Sequence, residues 1–119
     1  MTHDPISHPQ RDELELAAVL HALSDPVRLR IVAGLASGDE RTCGSFELPV
    51  TKSTCTHHFR VLREAGVIRQ RTEGTTRVNT LREHDLEARF PGVLRAILAA
   101  EDQRSIVTSS RGVAQQSSA

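Results

Sequence analysis

Apolar residues recur at helical spacing in the first third of the chain. Leu16, Val19, Leu20 and Leu23 fall at i, i+3, i+4 and i+7, which predicts a first helix over Arg11–Leu23 with one apolar face. Asp12, Glu13 and Glu15 lie in its first turn, where negative charge complements the helix dipole. Ser24-Asp25-Pro26 reads as a restart: a capping residue, then proline at the first helical position. The second helix runs from Pro26 to about Ala36, burying Leu29, Ile31 or Val32, and Leu35, and Gly38 ends it. A short third helix is placed at Cys43–Leu48. Thr51 or Ser53 caps a fourth, which reaches Glu64 or Ala65 with Cys55, Phe59, Leu62 and Ala65 inward and Gly66 as the left-handed stop.

The period then changes from helix to strand. Val67–Arg71 and Thr76–Thr80 alternate around Glu73-Gly74-Thr75, the pattern of a β-hairpin. Leu86, Phe90, Val93, Leu94, Ile97 and Leu98 form the last apolar stretch, with Pro91 expected to kink or restart that helix. Residues 1–10 and 103–119 lack periodicity and are expected to be a disordered arm and tail, leaving 11–102 as one folded domain. Four helices, a hairpin and a further helix make a mainly α (α+β) winged helix-turn-helix: a short helix, a turn, a longer helix and a wing.

Composition narrows the class. Of 119 residues, 38% are hydrophobic and 25% charged, Tyr and Trp are absent and Phe occurs three times, so one domain with an aliphatic core is expected. No apolar run approaches the ~18 residues of a membrane span, and residues 1–10 lack a signal-peptide pattern, so a cytoplasmic location is expected. Cys43 and Cys55 are then expected to be reduced thiols. The formal net charge is zero, but it is unevenly spread. Residues 1–40 hold three Arg against seven acids (net −4), and 83–119 hold four Arg against five acids (net −1). Residues 41–82 hold seven Arg and one Lys against three Glu (net +5), a local electrostatic footprint inside a neutral chain.

That basic block coincides with the fourth helix and the hairpin. With Cys55, Phe59 and Leu62 inward, Lys52, Ser53, Thr54, Thr56, His57 and Arg60 are left outward. Short hydroxyl side chains with cations near a helix N-terminus suit entry into the DNA major groove, because the backbone approaches closely and the helix end attracts phosphate. Arg69, Arg71 and Arg77, with Thr75 and Thr76 at the tip, suit a wing lying along the phosphate backbone or in the minor groove. The plainer reading is a Ser/Thr-rich surface helix beside a solvated ribbon. His57 and His58, being adjacent, point to different faces: His57 is read as a groove contact and His58 as an interhelical hydrogen-bond partner.

Two runs carry a family resemblance. Leu23-Ser24-Asp25-Pro26-Val27-Arg28-Leu29-Arg30-Ile31, and Thr51-Lys52-Ser53-Thr54-Cys55-Thr56-His57-His58-Phe59-Arg60 continuing through Val61-Leu62-Arg63-Glu64-Ala65-Gly66-Val67-Ile68, resemble ArsR/SmtB-type bacterial repressors over about residues 14–100. The resemblance implies a homodimer built from the first and last helices. It also implies an inverted-repeat operator in double-stranded DNA, with repression relieved by a metal or another signal. The family's metal-ligand sets are incomplete here. Thr42-Cys43-Gly44-Ser45 has one thiol where the family has a Cys-x-Cys pair, and His84-Asp85 stands in place of Asp-x-His with no later histidine. Cys43, His84 and Asp85 are what remains of a metal site. A composite of His3, His8, His21 and His84 across a dimer is the alternative for nickel, cobalt or zinc. Cys55, on the inward face, is read as a small hydrophobe, and Cys43 as either that or a redox-responsive thiol. No phosphate loop, nucleophile elbow or His-Glu-x-x-His helix is present, which argues against an enzyme. Beside the sequence-specific repressor stand two other readings: a metal- or thiol-responsive sensor released from DNA by its inducer, and a winged-helix protein-interaction scaffold that does not bind DNA.

Overall fold

A computed structural model of the chain describes residues 6–36, 38, 40–42, 45, 46 and 48–102. The expected first helix is divided. A 3-10 turn at Arg11–Glu13 is closed by Glu13 Oε1, which accepts from the Gln10 backbone N–H at 2.6 Å. Leu14 and Glu15 are extended, and α1 spans only Leu16–Ala22. Tertiary contacts explain the break. Leu14 turns into the core, its carbonyl accepts from Arg89, and Arg11 Nε donates to Asp85 Oδ1 at 2.8 Å. The helical stripe splits accordingly: Val19, Ala22 and Leu23 are buried, whereas Leu16 and Leu20 stay 43% and 44% exposed.

The second helix follows its local signals. In α2 (Pro26–Leu35), the Asp25 carboxylate caps the start by accepting from the N–H groups of Val27 at 2.8 Å and Arg28 at 3.1 Å. Ile31, Val32 and Leu35 are fully buried and Leu29 partly so. The chain next adds a strand that local pattern does not announce, β1 (Arg41–Thr42). It lies close to α2 because Gly34 has no Cβ: one built there would meet Phe46 at 2.8 Å and Arg41 at 2.9 Å. Of the expected helix at Cys43–Leu48, Cys43, Gly44 and Glu47 lie outside the described residues. Ser45 is in a 3-10 turn, and no α-helix is present there among the described residues.

The next helix, α3 (Lys52–Ala65), is bounded as its sequence dictates. Thr51 Oγ1 accepts from the Thr54 N–H at 3.2 Å, and Gly66 takes the left-handed φ of 86° that stops it. It buries His58, Phe59 and Leu62. The strands β2 (Ile68–Glu73) and β3 (Thr76–Leu81) pair antiparallel from Ile68↔Leu81 to Glu73↔Thr76, and Gly74 supplies the positive φ of their two-residue turn. β1 pairs with the other edge of β3, giving the sheet order β1-β3-β2. α4 (Glu83–Arg89) stops before Phe90-Pro91-Gly92, and α5 (93–102) restarts beyond it, as Pro91 foretells.

The core is aliphatic around one buried ring. Phe59 packs among Leu14, Ile31, Leu35, Leu62, Ile68 and Leu86, with Phe46 tilted against it at 5.8 Å. The N-terminal arm departs from the sequence expectation within residues 6–10. The Gln70 N–H donates to His8 Nε2 at 2.9 Å, and Arg82 Nη1 donates to the Pro9 carbonyl at 2.8 Å, so the arm follows the outer edge of β2. Residues 1–5 and 103–119 lie outside the described residues. No helix among the described residues is long and apolar enough to cross a membrane.

Candidate nucleic-acid interface

All six side chains assigned to the outer face of α3, namely Lys52, Ser53, Thr54, Thr56, His57 and Arg60, are exposed. Their hydroxyl groups are already oriented. Thr56 Oγ1 donates to the Lys52 carbonyl at 3.0 Å, which leaves only its lone pairs to the outside. Thr51 Oγ1 donates to Thr54 Oγ1 at 3.0 Å, which leaves the Thr54 proton outward. Two residues apart on the helix, the Thr56 acceptor and the Thr54 donor point to different sides of α3, so each is offered separately rather than as a pair.

The same helix is tied to the body through His58. Arg28, 8% exposed, donates from Nε to the Ala22 carbonyl at 2.6 Å and from Nη2 to the His21 carbonyl at 3.4 Å. Its Nη1 is 3.0 Å from His58 Nδ1. Because a guanidinium only donates, Nδ1 is the acceptor and the ring carries its proton on Nε2, 3.9 Å from Asp25 Oδ2. Burial pushes the His58 pKa below its ordinary value. Asp25 pulls it upward, while Arg28 and His57 push it further down. The two histidines thus divide as their adjacency predicts, His57 outward and His58 inward.

The wing sorts its arginines by strand alternation. Paired positions share a face, so Gln70, Asn79, Thr72 and Arg77 face the α3 side, and Arg69 and Arg71 the other. On that far side Arg71 is held by Glu40 Oε1 and Oε2 at 2.7 and 2.9 Å and by Glu73 Oε2 at 2.8 Å. The pairing holds the Glu40 carboxyl below its usual range. Arg69 lies 3.8 Å from Asp85. The three arginines expected to anchor the wing thus differ in their surroundings: Arg71 is ion-paired with two acids, one of them 31 residues away, and Arg69 lies beside Asp85. Thr75 and Thr76 are exposed at the tip.

Between α3 and the hairpin lies a groove of about 470 Å³ lined by Thr56, Phe59, Arg60, Arg63, Gln70 and Arg77, three of them arginines and none an acid. Sequence reasoning missed Arg63. The signal was present, since Lys52, Thr56, Arg60 and Arg63 run down one polar stripe at i, i+4, i+8 and i+11.

The remaining metal candidates are not brought together. Asp85 accepts from Arg11 Nε at 2.8 Å and Arg82 Nε at 3.0 Å, with Arg69 beyond. Arg11 first, then Arg82, hold its carboxyl below the usual range against the effect of burial. Ringed by guanidinium groups, Asp85 is corrected from a cation ligand to an arginine acceptor. His84 is exposed, His8 Nε2 is occupied by Gln70, and Cys43 and His3 lie outside the described residues. Among the described residues no three His, Cys, Asp or Glu side chains gather to hold a metal. Cys55 is half-buried against the core, as its inward position predicts.

A family described as a helix-turn-helix domain matches residues 23–71, from the turn before α2 into β2. The uncharacterized HTH-type transcriptional regulator YceK of Bacillus subtilis is 36% identical over 91 residues, covering 74% of this chain and 91% of YceK. The biofilm growth-associated repressor of Agrobacterium fabrum is 33% identical over 101 residues, covering 83% of this chain and 85% of that protein. An ArsR-like transcriptional regulator from Rhodococcus sp. RHA1 shares the fold at a TM-score of 0.56 and 23% identity, covering 81% of this chain and 90% of its own. With that kinship laid over the helix and wing just described, the chain belongs to the HTH-type transcriptional regulators, DNA-binding proteins rather than enzymes, and it shares its winged fold with the ArsR-like regulator.

Proposed function

We propose that this protein is a cytoplasmic, homodimeric repressor that binds an inverted-repeat operator and blocks transcription by occupying promoter DNA. The observation that carries the reading is the continuous polar stripe of α3, which runs from Lys52 through Thr56 to Arg60 and opens into a groove without acids. Lys52, Ser53, Thr54, Thr56, His57 and Arg60 meet base edges and nearby phosphates, while Arg77 holds the backbone from the wing with Thr75 and Thr76. Homodimerisation is supported by Leu16 and Leu20, large apolar side chains left in solvent on α1. Two copies place two reading helices on two half-sites about one helical turn apart. Repression is supported by the relative from Agrobacterium fabrum, whose name is that of a repressor.

The test is selection of duplexes from a random pool, followed by gel shifts at two salt concentrations. The wild type is expected to select a palindromic site, and the Lys52/His57/Arg77→Ala triple variant to lose it while remaining folded. Absence of any shift at low salt would instead favour a protein-interaction scaffold.

A further inference from the structure

The hydrogen bonds behind Arg63 run in one direction. Arg63 Nη1 donates to Gln70 Oε1 at 3.1 Å, Gln70 Nε2 donates to Asn79 Oδ1 at 2.8 Å, and Asn79 Nδ2 donates to the Arg41 carbonyl at 3.1 Å. Gln70 and Asn79 are 3% and 0% exposed, so this relay is interior and joins α3 to β2, β3 and β1 in turn. It consumes one end of the guanidinium and holds the plane still, because each member is itself held by the next.

The other edge of that guanidinium, Nε with Nη2, is the edge that pairs with two oxygens of an oxyanion. Nε is buried and has no hydrogen-bond partner among the described residues. Among the described residues Nη2 is ion-paired with Glu64 alone, at 3.8 Å, a carboxylate whose side chain is 64% exposed. A buried charged donor without an acceptor is unfavourable, and three guanidinium groups around one concavity repel one another unless an anion joins them. Neither Arg60 nor Arg77 is in an ion pair among the described residues, in contrast to Arg71.

The shape of the groove identifies which anion. At about 470 Å³ it is open rather than a closed cup, and Thr56 and Arg60 on its wall are also exposed on the reading face. An anion seated there is continuous with whatever lies along α3. We propose that the groove is a socket for one phosphodiester of the DNA backbone, with Arg63 as the fixed donor at its floor and Arg60 and Arg77 closing on it from helix and wing. The socket rests on the DNA-binding reading above and adds a residue to it. By clamping one phosphate between α3 and β3, it sets how deeply the helix enters the groove.

The test is a scan of the selected duplex with single methylphosphonate substitutions, each of which removes one backbone charge. Neutralising one phosphate per half-site should weaken wild-type binding about tenfold, the scale of a charge-assisted hydrogen bond. Arg63→Lys, which keeps the charge and loses the fork, should weaken binding to the unmodified duplex by a similar factor. It should then lose less than about twofold more on the duplex neutralised at that position, since the partner is already gone. Arg77→Gln, at an exposed position, provides the same cycle without disturbing the buried relay, and thermal melting checks the fold of both variants. Losses that multiply independently at every phosphate would overturn the socket while leaving DNA binding intact. Failure to select any duplex would instead overturn the DNA-binding reading, and the socket with it. Titration with inorganic phosphate, followed at the arginine Nε–H resonances, separates the two sources of this chemistry. Saturable binding of free phosphate at Arg63 without coupling in the duplex would reassign the groove to a small anion and overturn the backbone assignment.

Discussion

The salt dependence of DNA binding separates the arginines of the wing. Each cationic charge brought to the backbone displaces condensed counterions and contributes about −0.9 to the slope of log K against log salt on duplex DNA. Counted by charge, Lys52, Arg60, Arg63 and Arg77 give a slope of about −3.6 per protomer, even where three of them close on one phosphate; adding Arg69 and Arg71 would make it about −5.4. The structure supports the smaller number, because Arg71 lies on the far face of the hairpin and is held by Glu40 and Glu73 at 2.7–2.9 Å. The informative variant is the charge-neutral pair Arg71→Gln with Glu40→Gln, compared with Arg77→Gln. Removing Arg77 should flatten the slope by about 0.9 per protomer, or about 1.8 for a dimer. Over ~50 to ~200 mM salt that is roughly a twelvefold difference in the affinity lost. The neutral pair should leave the slope unchanged within about 0.3 units, because a cation already matched by carboxylates releases no counterion from DNA. Fluorescence anisotropy of a labelled duplex at four or five salt concentrations measures both. If the pair flattens the slope as much as Arg77→Gln does, Arg71 leaves its acids for the DNA and the sorting of the wing is wrong.

Three further outcomes follow from the packing. Gly66→Ala places a Cβ at φ 86° and into the Leu14 side chain, whereas Gly92→Ala has φ 83° but open space. Urea unfolding should therefore show a loss of roughly 2–4 kcal/mol for the first and only about 1–2 for the second, strain being common to both and the clash to one; equal losses would refute the close approach. His58 and His8 both have pKa values pushed below 6.5, each mainly by burial, so the unfolded chain binds protons first. Their contribution is complete above about pH 6.5 and is lost as pH falls below it. Asp25, depressed from 3.8, retains its contribution through that window. Urea midpoints should thus fall between pH 7.5 and 5.5, and fall less in His58→Asn; midpoints independent of pH would refute the burial of these rings in neutral form. Leu16→Lys with Leu20→Lys, at exposed positions, should give a folded monomer by sedimentation with little change in melting temperature, and a dimer persisting unchanged would remove α1 from the interface.

The local features of this protein were legible because their causes are local. The Asp25 and Thr51 caps, the Gly66 stop, the Pro91 break and the Gly74 turn each satisfy or interrupt backbone groups within a few residues. Hydrophobic spacing likewise determined which face of α3 is inward and sent His57 and His58 opposite ways. Missed features depend on partners far along the chain. The helix expected at Arg11–Leu23 breaks at Leu14 because Arg89 and Asp85, more than 70 residues away, hold the turn before it. β1 exists because β3 offers it an edge, and two residues carry too little periodicity to announce that pairing. The ion pair of Arg71 with Glu40 joins residues 31 apart, so no local pattern announces it. Arg63, counted by sequence only within the basic block, lines the groove with Gln70 and Asn79 hydrogen-bonded in series behind it. The sequence alone determined α2, α3, the hairpin and the inner face of α3, because propensity and periodicity act over one or two turns. Tertiary structure alone decided which of the eight cations in residues 41–82 remain available to an anion, because a charge is matched by whatever the fold sets within a few ångströms of it.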